Sequence, residues 1–234
     1  MLLNGDCLVE MEKIEDKSVS LFLLDLPFGC TKKKWDIPID LAELWVLIKK
    51  KMKKDANILF FCTTSFGFNL IEANQKWFAY DIVWEKTRPT GFLNCKIAPL
   101  RSHESIYLFK KGKTCFNPQM EERDKPITQK RKVKKRTGGI YNTFIEIEER
   151  TYTHSYPKSV LKFGSVNMPI HSSQKPSDLL EYLINTYSNE GDLVCDPTMG
   201  SGSVGVACAK LNRPFIGIEK DEAIFNLAKQ ILND

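Results

Sequence analysis

Apolar residues fall along this chain in two recurring patterns, short unbroken runs and stripes at helical spacing. Ser20-Leu-Phe-Leu-Leu-Asp25 is an apolar run ending in Asp-Leu-Pro, which predicts a buried parallel strand opening into a loop. After Asp40, which with Glu43 resembles a capping box, Leu41, Leu44, Trp45 and Ile48 share one helical face. A strand is predicted at Ile58–Cys62, a helix at Phe66–Asn74, and strands at Phe78–Glu85 and His103–Phe109. Pro176 opens a helix striped by Leu179, Leu180, Leu183, Ile184 and Tyr187, and Asn189 and Gly191 break it. Leu193–Asp196, Val204–Leu211, Phe215–Glu219 and Asp221–Leu232 then read strand, helix, strand, helix. Such βα alternation predicts an α/β fold, a mostly parallel Rossmann-like sheet with helices on both faces.

Composition narrows the class. At 234 residues, 42% apolar and 27% charged, the chain suits one globular domain with room for an insertion. Seven scattered cysteines with no C-x-x-C pair, and three histidines at no ligand spacing, predict no metal site and a reducing compartment. The N-terminus lacks the regions of a signal peptide and no apolar run approaches membrane-spanning length, so a cytoplasmic protein is expected.

The net charge of +5 is unevenly distributed. From Lys110 to Arg136 eleven Lys or Arg face three acids, a local excess of +8 that leaves −3 for the rest. Lys130, Arg131, Lys132, Lys134, Lys135 and Arg136 form its densest block, in a stretch without clear periodicity that carries Pro118, Pro126, Gly138 and Gly139. A mobile basic segment suits a polyanion such as nucleic acid. Lys32, Lys33 and Lys34 make a second cluster, placed to contact phosphates. A third, Lys49, Lys50, Lys51, Lys53 and Lys54, ends a predicted helix, where cations complement the helix dipole on a solvated face.

Chemistry concentrates in two loops. Gly200-x-Gly202-x-x-Gly205 lies between a predicted strand and helix, where glycines allow a tight turn and close approach to a ligand, and Glu219 at the tip of the next strand can accept both hydroxyls of a ribose, an arrangement suited to an adenosine cofactor. A nicotinamide enzyme would use the same glycines, but Asp196-Pro197 stands before them and only fifteen residues follow Glu219. The other loop is Asp25-Leu-Pro-Phe28. A carboxylate and a neighbouring carbonyl can accept both N–H bonds of an amine and stabilise positive charge that grows on its nitrogen. An aromatic ring beside them offers a face on which a planar ring can stack.

Together these segments resemble the DNA amino-methyltransferases. Asp196-Pro-Thr-Met-Gly-Ser-Gly202 is similar to their S-adenosylmethionine loop and Asp25-Leu-Pro-Phe28 to their catalytic Asp-Pro-Pro-Tyr. Asn4-Gly-Asp-Cys7, Trp35-Asp36, His103-Glu-Ser-Ile-Tyr107 and His171-Ser-Ser-Gln-Lys-Pro176 match in order, and the catalytic-first order resembles the permuted beta class. The resemblance implies a seven-stranded sheet with one antiparallel strand. It implies that Asp196, Gly200, Ser201 and Gly202 wrap the amino-acid part of S-adenosylmethionine, that Glu219 holds its ribose, that Asp6 and Cys7 lie near its adenine, and that Gln174 and Lys175 approach its carboxylate. Asp25, Leu26, Pro27 and Phe28 would be catalytic, and residues 112–165, which match nothing, an inserted target-recognition region. Leu26 replaces a proline and Phe28 a tyrosine; the carbonyl and the stacking face survive both changes.

The implied partner is double-stranded DNA, with a homodimer and a cognate restriction enzyme as further expectations. An initial Asp points to adenine N6, with cytosine N4 the alternative and an RNA or protein-amide substrate more distant. A nicotinamide oxidoreductase would leave Asp25–Phe28 unexplained, and a non-catalytic nucleic-acid-binding module would leave both loops idle. His103 and Glu104 read as residues capping a strand, and His171 as one that positions Lys175.

Overall fold

The computed structural model describes residues 1–29, 36–136, 143–164 and 174–233. These divide into two compact units, Met1–Asn117 with Ser159–Asp234, and Pro118–Lys158.

The first unit holds an eight-stranded sheet and six α-helices among the described residues. Its strands are β1 (Leu2–Asn4), β2 (Val19–Leu24), β3 (Met52–Cys62), β4 (Phe78–Thr90), β5 (Arg101–Lys110), β8 (Val160–Phe163), β9 (Val194–Asp196) and β10 (Phe215–Glu219), while β6 (Glu121–Arg136) and β7 (Thr143–Ser155) belong to the second unit. The helices are α1 (Cys7–Glu10), α2 (Leu41–Lys51), α3 (Thr64–Asn74), α4 (Ser177–Tyr187), α5 (Ser203–Lys210) and α6 (Glu222–Asn233). Strand order is β1-β10-β9-β2-β3-β5-β4-β8, with β5 alone running against the rest. The fold is thus the expected Rossmann-like one with eight strands in place of seven.

Every residue of β2 is buried because the sheet is covered on both faces. Phe22, Leu24, Ile58 and Phe60 pack with Trp45 and Ile48 of α2 on one face. Leu21, Leu23, Leu59 and Phe61 pack with Leu183 and Ile184 of α4 on the other. Asp40 caps α2 through the amides of Ala42 and Glu43, at 2.8 and 3.1 Å. The lysine cluster at its end is not a uniformly solvated face. Lys51 is 2% exposed and donates to the carbonyls of Glu12 and Ile14 and the carboxylate of Asp16, while Lys53 and Lys54 open β3.

Chain direction locates the functional edge. From β2 the chain moves outward through α2 to β3, whereas from β9 it moves the opposite way through α5 to β10. β2 and β9 are neighbours, with Leu21 opposite Val194 and Phe22 opposite Cys195, so a crevice opens beyond their carboxyl ends. Asp25 follows the end of β2, and Asp196 ends β9.

The second unit corrects the reading of an unpatterned basic segment. β6 and β7 pair in an antiparallel ribbon, with Lys130 opposite Glu149, Arg131 opposite Glu148 and Lys132 opposite Ile147. β-branched residues such as Thr128, Val133, Ile147 and Thr151 favour the extended chain. Most of the ribbon is exposed, so no apolar alternation marks it in the sequence.

Candidate active site

At the crevice lies a cavity of about 590 Å³, within the usual range for small-molecule sites. Eight of the nine residues expected around a cofactor line it: Asp6, Cys7, Gln174, Lys175, Asp196, Gly200, Ser201 and Glu219. The ninth, Gly202, does not. It caps α5 at φ +84°, and a Cβ there would meet Leu232 at 3.1 Å, so it serves the turn and its packing on α6. Asp25 and Pro27 line the cavity too, whereas Leu26 and Phe28 do not. Leu26 is buried in the core and Phe28 is partly buried against Phe66, ring centroids 5.0 Å apart. Lys32, Lys33 and Lys34, with Trp35 and His171, lie outside the described residues.

Short-range bonds shape the walls. One carboxylate oxygen of Glu219 accepts from the amide of Gly200 at 3.0 Å and the other from that of Asp221 at 2.8 Å, pinning the glycine loop to the end of β10. Asp6 caps α1 through Leu8 and pairs with Lys220 at 3.0 Å, and that hydrogen bond leads in holding its carboxyl below the usual range. Burial pushes the Cys7 thiol up to about 11, leaving it a neutral, apolar wall.

Asp196 is 3% exposed and accepts from the amide of Thr198 at 3.0 Å. Burial raises its carboxyl to about 8; the Thr198 amide opposes this, and the charges of Asp25 and Glu219 add to it. A buried acid of this kind on a cavity wall is suited to a ligand cation. The Thr198 hydroxyl also donates to the carbonyl of Asp25 at 3.2 Å, tying the two loops together.

Around Asp25 stands a charge network that joins β2, β4, β5 and the segment before α4. Lys175 Nζ lies 2.5 Å from Asp25 Oδ2 and 3.7 Å from Glu104, and Glu104 also pairs with Lys86. Burial raises the Asp25 carboxyl, with Lys175 pulling the other way. Burial likewise works against the Lys175 ammonium, but Asp25 and Glu104 outweigh it and hold its pKa above the ordinary lysine value. Glu104 is thus no cap: it lies inside β5, and its carboxyl is held low because Lys175 and Lys86 overcome its burial. A signal was present in the period of two. Leu21 and Leu23 lead to Asp25, Ile82 and Trp84 to Lys86, and Ile106 and Leu108 follow Glu104, all in register with the same apolar face.

A DNA methylase family model matches residues 19–230. The chain belongs to this family. The methylase is 26% identical over 249 residues to the type II methyltransferase M1.MboII of Moraxella bovis, covering 97% of this chain and 94% of that protein. To the type II methyltransferase M2.DpnII of Streptococcus pneumoniae it is 23% identical, covering 99% and 89%. Among solved structures, the M1.HpyAVI–SAM complex superposes with a TM-score of 0.66 at 21% identity, over 100% of this chain and 99% of that one. The cytosine-N4-specific PvuII DNA methyltransferase gives 0.67 at 16%, over 99% and 92%. The methylase therefore shares its fold with enzymes of this kind, and N6 and N4 specificity are not separated by the likeness.

Proposed function

We propose that this methylase transfers a methyl group to the exocyclic N6 of adenine in duplex DNA, acting on a base flipped out of the helix. The observation that carries the reading is Asp25, a carboxylate on the cavity wall at the switch point of the sheet, held by a partly buried ammonium.

S-adenosylmethionine fits the cavity: an enclosed acid for its ammonium, glycine-loop amides beside it, and a second acid at the next strand's tip. When bound, it supplies a methyl group on a positively charged sulfur. Asp196, Gly200 and Ser201 would hold its amino-acid part, Glu219 its ribose, Asp6 and Cys7 its adenine, and Gln174 its carboxylate. Lys175 is bonded to the catalytic carboxylate, so its first task is at Asp25 rather than at the cofactor.

Asp25 accepts one N–H of the target amine and the Leu26 carbonyl the other, so positive charge developing on nitrogen meets fixed negative partners. Asp25 is also the nearest acceptor for the proton the methylated amine sheds. Phe28 packs on Phe66 and would offer its other face to the base. Lys130–Arg136, on the ribbon of the second unit, and Lys32–Lys34 would meet phosphates, with residues 112–165 contributing target recognition.

The test is to incubate the protein with methyl-tritiated S-adenosylmethionine and unmethylated duplex DNA, digest to nucleosides and identify the labelled one. Label in N6-methyladenosine is expected. Label in N4-methylcytosine would move the reaction to cytosine, and no label in DNA would overturn the reading.

A further inference from the structure

β4 and β5 are joined by an arm with an unusual surface. Residues 87–103 are all exposed, among them Phe92 at 77%, Leu93 at 100% and Ile97 at 85%. Large apolar side chains standing fully in water call for a partner. Between Lys86 and His103 the sequence has four cations, Lys86, Arg88, Lys96 and Arg101, and no acid. The arm is also preformed. Gly91 turns it at φ +89°, and amides of Asn94, Cys95, Ile97 and Ala98 bond back to carbonyls of Gly91, Phe92 and Asn94.

Its position follows from strand direction. β5 runs against both β3 and β4, so β4 runs with β2 and its carboxyl end reaches the edge where Asp25 lies. The root of the arm is bonded to the site, since Lys86 of β4 pairs with Glu104 of β5, Glu104 with Lys175, and Lys175 with Asp25.

We propose that this arm is a wedge that enters the duplex beside the target base, Phe92 and Leu93 filling the gap the extruded base leaves and Arg88, Lys96 and Arg101 contacting phosphates. Apolar side chains on a cationic support suit this task, because unstacked bases need an apolar filler and the backbone needs counter-charge. A second copy of the chain is the poorer occupant, since a symmetric contact would bring two acid-free cationic patches together.

The inference rests on the DNA reading above, and the following comparison separates the two. Phe92→Ala with Leu93→Ala is made in the full chain and assayed on a duplex carrying the mapped methylation site, beside one in which the target base faces an abasic position. On the paired duplex the rate is expected to fall tenfold or more, with cofactor affinity within twofold and sedimentation unchanged. On the abasic duplex most of the rate should return, because that base costs less to extrude. A variant as fast as the parent on paired DNA, an equal loss on both duplexes, or a changed assembly state would each overturn the wedge. If the parent labels no DNA, the functional reading itself fails and the wedge with it.

Discussion

Lys175 Nζ stands 2.5 Å from Oδ2 of Asp25, and the same ammonium lies 3.7 Å from Glu104. One cation is shared between two acids in a partly enclosed wall. Burial raises the Asp25 carboxyl and the Lys175 ammonium works against that rise, favouring the negative form that an acceptor for an amine needs.

Replacing Lys175 with Gln should therefore change a pH profile and not only a rate. Without the ammonium, burial is opposed only by the charge of Lys86 and the Asp25 carboxyl titrates at higher pH, so the acid limb of kcat should move upward. Single-turnover methylation from pH 5 to 9 measures this; an unmoved limb would mean that Lys175 does not govern the charge on Asp25.

Asp196 gives a second pH signature. Its carboxyl, raised to about 8 in the folded protein, is neutral below that pH and cannot hold a cofactor cation. Cofactor affinity measured by calorimetry should weaken as pH falls through about 8, and Asp196→Asn should remove that dependence. The folded chain also keeps a proton here that the unfolded chain releases from about 3.8 upward, so this group costs stability as pH rises through that window. Asp196→Asn should flatten the corresponding fall in Tm.

Lys130→Gln with Lys132→Gln should weaken DNA binding and lower the slope of log K against log salt by about 0.9 for each phosphate that is no longer neutralised. Fluorescence anisotropy across a salt series reads it. An unchanged slope would remove this part of the ribbon from the interface.

Lys51 is a stability determinant rather than a DNA contact. Its ammonium bonds two backbone carbonyls from a side chain that is 2% exposed, and Lys51→Ala would leave those acceptors unpaired at a cost of about 1–3 kcal/mol. Urea unfolding should show that loss, with DNA affinity unchanged in folded protein.

Much of this was legible in the sequence. The buried strand Ser20–Asp25, the stripe Leu179–Tyr187 and the glycine loop have patterns set by local geometry, and each element forms close to its expected place. What escaped depends on contacts distant in sequence. Lys51 reads as one of five solvated lysines until its carbonyl partners thirty-seven and thirty-nine residues away are seen. Glu104 meets Lys175 only when β5 lies across the sheet from the loop before α4. The basic block reads as a run along the chain, although Glu148 and Glu149 face it across the ribbon. A count along the sequence that ends at Arg136 omits them.

The central claim is that Asp25 accepts the target amine while other groups bind the cofactor. Asp25→Ala, with cofactor affinity and DNA methylation measured on the same preparation, tests it most directly. The account predicts transfer at least a thousandfold slower with cofactor affinity changed by no more than a few-fold; transfer within tenfold of the parent would contradict it.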